Sequence, residues 1–212
     1  MKVNMMIIAM LYCNMARTQP HVGVEQYLYW GNTNASSLVT MAYLQNNNNW
    51  YAEVRHNYEE PGTFSLHVGK TFTKTAALTY SVTPVIGGLA GKFNGGSLGV
   101  NLDMDYRYLS LAVQWQYTFS AQDKIANFMY SWSELGCQTT GWLTAGLAFQ
   151  QTRQFRSQGK IEPGGFAAFS FRKLTVPIYV FSPLTKSMYY VLGINWEYQY
   201  MRYGNRNKLS VL

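Results

Sequence analysis

Apolar and polar side chains alternate along most of this chain. In Leu98-Gly99-Val100-Asn101-Leu102-Asp103-Met104-Asp105-Tyr106-Arg107 the even positions are apolar or aromatic, and the odd ones are small, polar or charged. Leu109-Ser110-Leu111-Ala112-Val113-Gln114-Trp115-Gln116-Tyr117-Thr118-Phe119 repeats the pattern in the opposite parity. A period of two belongs to a strand with two unlike faces. The parity change is what a tight hairpin at Arg107-Tyr108 produces. It sets Leu111 opposite Met104 and Val113 opposite Leu102 on one face, and Gln114 opposite Asn101 on the other. A slip of one residue would mix the faces, so the pattern specifies the register.

A second hairpin runs from Trp50 to Phe72. Trp50, Ala52, Val54, His56 and Tyr58 alternate with Tyr51, Glu53, Arg55, Asn57 and Glu59. Glu60-Pro61-Gly62 has the chemistry of a three-residue turn, and Phe64, Leu66, Val68 and Phe72 continue the apolar face. That register sets His67 opposite Arg55. Further strands are expected at 22–31, 37–45, 77–91, 125–136, 141–154, 165–172, 174–182 and 187–200, twelve in all. Asn46-Asn47-Asn48-Asn49, Phe93-Asn94-Gly95-Gly96 and Glu162-Pro163-Gly164-Gly165 read as the breaks between them. Segments of about ten alternating residues separated by turns are the pattern of membrane-spanning strands. The expected fold is all-β: a single up-and-down antiparallel transmembrane β-barrel of about twelve strands over 19–200. A C-terminal extension follows at 201–212.

Composition narrows the class. Charged residues make up 13% of the 212, about half the share usual in soluble domains. Mean hydropathy is nevertheless near zero, because 17 Tyr, 11 Phe, 6 Trp, 18 Gly and small polar residues take the place of charge. At the start, Lys2 precedes the short apolar run Met5-Met6-Ile7-Ile8-Ala9-Met10-Leu11-Tyr12, with small residues near Ala16. This has the form of a cleaved signal peptide over 1–18, too short for the about 20 apolar residues that span a bilayer. Leu11-Tyr12-Cys13 fits a lipoprotein acceptor poorly. With the leader removed, Cys137 stands alone and builds neither a disulfide framework nor a zinc site. The net charge of +7 is scattered singly, without the basic cluster of a nucleic-acid binder.

Alternation does not say which face is inside, and a secreted soluble ligand-binding β-barrel shares the period. The polar face carries opposite charges that can meet, Glu53 with Arg55, and Asp103 and Asp105 with Arg107. Such pairs suit a wet interior lined by Glu53, Arg55, Asn57, His67, Asn101, Asp103, Asp105, Arg107, Gln114, Gln116, Asn195 and Glu197. Aromatics sit on the apolar side towards strand ends. Trp50, Tyr106, Trp115, Tyr117, Trp196 and Tyr198 are the expected lipid-facing girdle.

The signal-like start, the alternating strands and the aromatic segment Gly193-Ile194-Asn195-Trp196-Glu197-Tyr198-Gln199-Tyr200 resemble small bacterial outer-membrane β-barrel proteins of the Bacteroidota kind. Such proteins end on an aromatic residue, whereas Met201 to Leu212 here, with Arg202, Arg206 and Lys208, runs past that point. The resemblance implies the cell outer membrane and both termini in the periplasm. Outer loops are implied near 31–36, 60–62, 91–96, 120–124, 153–164 and 182–186. It puts Arg153, Arg156 and Lys160 on the longest loop, against lipopolysaccharide phosphates, with outer-membrane lipid and other envelope proteins as partners.

Candidate chemistry is sparse. Ser65 and His67 have the separation of the Ser/His pair in outer-membrane acyl hydrolases but in reverse order, with Glu53 or Glu59 on the preceding strand. A lipid-modifying hydrolase is therefore an alternative, though both residues face the lumen, away from lipid. Asp103 and Asp105 share one face and could meet a cation or be neutralised by Arg107. No metal motif, phosphate loop or nucleotide fingerprint appears, and no cofactor is expected. The expected function is non-enzymatic: a narrow, porin-like pore, or a structural scaffold in an envelope assembly.

Overall fold

The computed structural model describes residues 20–31, 36–154 and 159–199. The expected leader, the tail at 201–212 and Arg156 lie outside the described residues. Twelve antiparallel strands close into one barrel. They are β1 (His21–Gly31), β2 (Ser37–Gln45), β3 (Trp50–His56), β4 (Thr63–Lys70, resumed as Phe72–Lys74), β5 (Thr79–Gly91) and β6 (Gly95–Tyr106). There follow β7 (Leu109–Ser120), β8 (Phe128–Thr140), β9 (Leu143–Gln154), β10 (Lys160–Phe171), β11 (Leu174–Phe181) and β12 (Tyr189–Gln199). Both pieces of β4 pair with β5 across the interruption at Thr71, whose N–H donates to the Asn49 carbonyl at 2.8 Å. β1 pairs with β12 from His21–Gln199 to Gly31–Tyr189, which leaves no open edge for lipid to meet. The even strand count brings His21 and Gln199 to the same end.

The β6–β7 hairpin has the register that the alternation specifies. Met104 pairs with Leu111, Leu102 with Val113 and Asn101 with Gln114, around a two-residue turn. Arg107 opens that turn at φ 55°. Positive φ there matches the right-handed twist of the flanking strands. The β3–β4 hairpin differs from expectation. His56 pairs with Phe64 and Glu53 with His67, so His67 lies opposite Glu53 and not Arg55. The loop is 57–62 rather than a three-residue turn. Asn57 takes φ 60° and accepts from the Gly62 N–H at 2.8 Å. The shift is two residues, which keeps the paired residues of both strands on their expected faces.

Two expected breaks are strand. Gly95 and Gly96 belong to β6, and Glu162-Pro163-Gly164-Gly165 belongs to β10, where Pro163 pairs with Phe149. The reason at Gly164 is crowding. A Cβ there would stand 2.6 Å from the Val180 carbonyl oxygen and 2.8 Å from the Phe181 ring. The glycine makes room for an inward aromatic and does not mark a turn. β8 starts later than expected because Asp123 caps a short 3-10 turn at Lys124–Ala126, accepting from the Ile125 N–H at 2.9 Å.

The faces decide the class. Glu53, Arg55 and His67 are at most 2% exposed, while Leu66 and Ile86 are 57% exposed and Leu98 50%. A water-soluble barrel would have these reversed, so that alternative is overturned. The apolar residues clothe the outside, as a membrane-spanning barrel requires. Ile86 pairs with Val68 on one side and Leu98 on the other, within this band. Ile86→Arg is expected to lower stability by about 2–4 kcal/mol, the cost of a lipid-facing cation near mid-bilayer. Urea titration in lipid vesicles measures it, and an unshifted midpoint would place Ile86 outside the hydrocarbon.

Candidate functional site

The barrel interior is filled from two sides. On the β3–β7 side, alternation turns Glu53, Arg55, Ser65, His67, Ser97, Gln116 and Thr118 inward, all nearly or fully buried. Arg55 is the hub. Its guanidinium donates to Glu53, to Gln116 Oε1 at 2.8 Å and to Glu59 Oε1 at 3.4 Å. Glu53 also accepts from Tyr51 Oη at 2.7 Å, and Glu59 accepts from Ser65 Oγ at 2.9 and 3.0 Å. A buried cation is tolerable because two carboxylates and an amide surround it. Since β3 and β7 are four strands apart, the Arg55–Gln116 bond crosses the lumen.

Opposite lies an aromatic wall. Phe166, Tyr179, Phe181 and Val191 pack with Ala148, and Trp132, Tyr27, Tyr29 and Tyr189 lean against them. Trp132 meets Tyr179 and Phe181 edge-on, each at 5.1 Å between centroids. Polar atoms of this wall are satisfied by embedded carboxylates. Glu134 accepts from Trp132 Nε1 at 2.6 Å and Tyr179 Oη at 2.8 Å, and Glu25 accepts from Tyr27 Oη at 2.8 Å.

The two sides meet at Tyr58. From the loop after β3 its ring turns inward beneath the Arg55 guanidinium, 4.4 Å from the ring centroid. Its hydroxyl donates to Gln114 Oε1, and its ring meets Tyr130 edge-on at 5.5 Å. Burial raises the Tyr58 phenol well above its ordinary pKa, so the group stays a neutral donor. Tyr58 and Tyr130 line both a cavity of about 590 Å³ that opens towards the termini and one of about 480 Å³ on the loop side. They form a septum between two vestibules.

Of the residues expected in the lumen, Glu53, Asn101, Asp103, Asp105, Gln114 and Glu197 line the terminus-side vestibule. Gln116 lines the loop-side one. Arg55 and His67 are buried in the polar cluster, and Asn195 bonds inward to Tyr27 Oη at 3.0 Å. Two residues do not belong there. Asn57 sits in the outer loop and donates to the Leu38 carbonyl at 3.0 Å. Arg107 sits at the tip of the β6–β7 turn, over the Tyr106 ring at 5.3 Å, and so does not neutralise Asp103 and Asp105 as expected. Trp50, Tyr106, Trp196 and Tyr198 face outward near the terminus end, and Tyr117 lies further up β7. Trp115 also faces outward but midway along β7, paired with Val100, so it belongs to the apolar band and not to a rim. Arg153 and Lys160 lie on strands, not on a long loop, and Lys160 Nζ meets Glu162 Oε1 at 2.5 Å. The sequence reading missed the aromatic wall. Its signal was present: Val176 to Phe181 is apolar or aromatic on both faces, and small residues such as Ala148 and Gly164 stand beside it.

The Ser65–His67 pair does not form. Ser65 is held by Glu59, and His67 instead has Ser97 Oγ at 2.6 Å from Nε2 and Glu53 Oε1 at 3.7 Å from Nδ1. Acid, imidazole and hydroxyl are thus in line, but Ser97 and His67 are fully buried. Gly87 faces the imidazole so closely that a Cβ there would stand 2.6 Å from Nε2. The Ser97 hydroxyl thus has no solvent-exposed surface in the closed barrel.

No family model matches the sequence, and no curated protein matches it either. Among solved structures, the barrel is similar to that of the KdgM porin at TM-score 0.60 and 10% identity, over 84% of this chain and 99% of that one. KdgM in complex with disordered oligogalacturonate gives 0.58 and 11%, over 84% and 99%. The NanC porin gives 0.56 and 11%, over 85% and 100%. The architecture of this chain is that of outer-membrane porins.

Proposed function

We propose that this chain is a narrow outer-membrane pore for small solutes. The hollow carries this reading. Two vestibules lie towards opposite ends of the barrel, and the rings of Tyr58 and Tyr130 line both. A barrel serving only as scaffold could be packed through, as the aromatic wall shows side chains of this protein can do. The oligogalacturonate in one porin's title is a polyanion, and the carboxylates of the vestibule argue against the same cargo here. Arg153, at the loop-side end of β9, would carry a contact with lipopolysaccharide phosphates, whereas Lys160 lines a lumenal recess with Glu162. Purified protein in planar bilayers is expected to give discrete conductance steps, small by porin standards. Silence at every voltage, from protein shown to be folded by its altered mobility on unheated gels, would end the pore reading and leave the scaffold role.

A further inference from the structure

We infer that the lumen passes cations in preference to anions, selected by the carboxylates of the terminus-side vestibule; this rests on the pore reading. The chain carries a net charge of +7, yet its charges are sorted by face. Six of its ten Asp and Glu residues (Glu25, Glu53, Asp103, Asp105, Glu134 and Glu197) line this one cavity. Among the described residues no Lys or Arg lines it, and its one basic side chain is His21. Arg55 neutralises Glu53 from behind the wall, and His21 stands 3.6 Å from Glu197. The other four have no basic side chain within ion-pairing distance among the described residues. Neutral donors hold three of these: Tyr27 on Glu25, Ser81 on Asp103, and Trp132 with Tyr179 on Glu134.

A second observation points the same way. The side-chain carbonyl oxygens of Asn101 and Asn195 are buried and have no donor among the described residues. Asn195 pairs across the sheet with Glu25, and Asn101 lies two residues from Asp103 on the same face. Buried acceptors seek donors or cations. Here they stand beside carboxylates that no basic side chain neutralises, an arrangement that suits a hydrated cation and repels an anion. The carboxylates come from β1, β3, β6, β8 and β12, and none of the described acidic groups closes into a metal-holding cluster. They act as a diffuse negative field, which low-dielectric walls concentrate along the axis.

The test is the reversal potential across a KCl gradient. Potassium is expected to be preferred over chloride. Asp103→Asn with Asp105→Asn is expected to lower the permeability ratio several-fold, and Glu25→Gln to lower it independently. Asp103 and Asp105 are exposed at the vestibule wall and hold no part of the buried network, so folding should survive. Glu25→Gln keeps the acceptor for Tyr27 if it does not. No conductance from folded wild type would remove the pore and this inference with it. Conductance with chloride preferred, or a ratio unmoved in both variants, would overturn the inference alone.

Discussion

Tyr58→Ala is expected to raise single-channel conductance several-fold. Tyr58 is one of two side chains shared by both vestibules, and it reaches Gln114 and Tyr130 from across the lumen. Cutting the ring back to a methyl group would join spaces of about 590 and 480 Å³ along one axis. A narrow constriction dominates the resistance of a channel, so widening it changes current more than any change in the vestibules. Tyr58→Phe separates bulk from hydrogen bonding. It keeps the ring over which Arg55 lies and loses only the hydroxyl, with its bonds to Gln114 and Tyr130, so its conductance should stay near wild type. If alanine and phenylalanine behave alike, Tyr58 is not the septum.

Arg55→Leu should be the most damaging single change to stability, at about 3–5 kcal/mol, the usual cost of removing one partner from a buried ionic group. Arg55 is 1% exposed and holds Glu53 and Glu59, and its loss leaves both carboxylates without their cation. It also cuts the Gln116 bond across the lumen. The urea midpoint in vesicles reads the effect, and heat-modifiability on gels reports whether the barrel still closes. Adding Glu53→Gln and Glu59→Gln to Arg55→Leu should restore much of the loss, because the uncompensated charge is what costs most. A triple variant no better than Arg55→Leu would show that the guanidinium's shape, not its charge, supports the wall.

The β6–β7 register was readable from residues 98 to 119 because a period of two and a sharp parity change leave one pairing that keeps both faces pure. The β3–β4 register was not. A shift of two residues preserves the faces, so alternation is blind to it. The choice fell to Asn57, whose positive φ and bond to Gly62 open a longer loop. Glycine misled for a related reason. Gly164 answers to a ring arriving from the neighbouring strand, and a neighbour is not written in local sequence. Ser97, which takes His67 from Ser65, comes from a strand 30 residues further on.

Alternation by itself therefore determined the strands and which residues share a face. Both depend only on which side of one strand a residue falls, and that is a local, period-two property. It left open which face meets lipid until the burial of Glu53, Arg55 and His67 and the exposure of Leu66 and Ile86 decided it. The tertiary structure decided what the interior does with its side chains. It decided that Tyr58 meets Tyr130, that Arg55 sits among Glu53, Glu59 and Gln116, and that one side of the lumen is aromatic. It also gathered carboxylates from five strands around one cavity. Tyr58–Tyr130 and Arg55–Gln116 join segments far apart in sequence, and such partners are set by curvature and closure rather than by sequence neighbours.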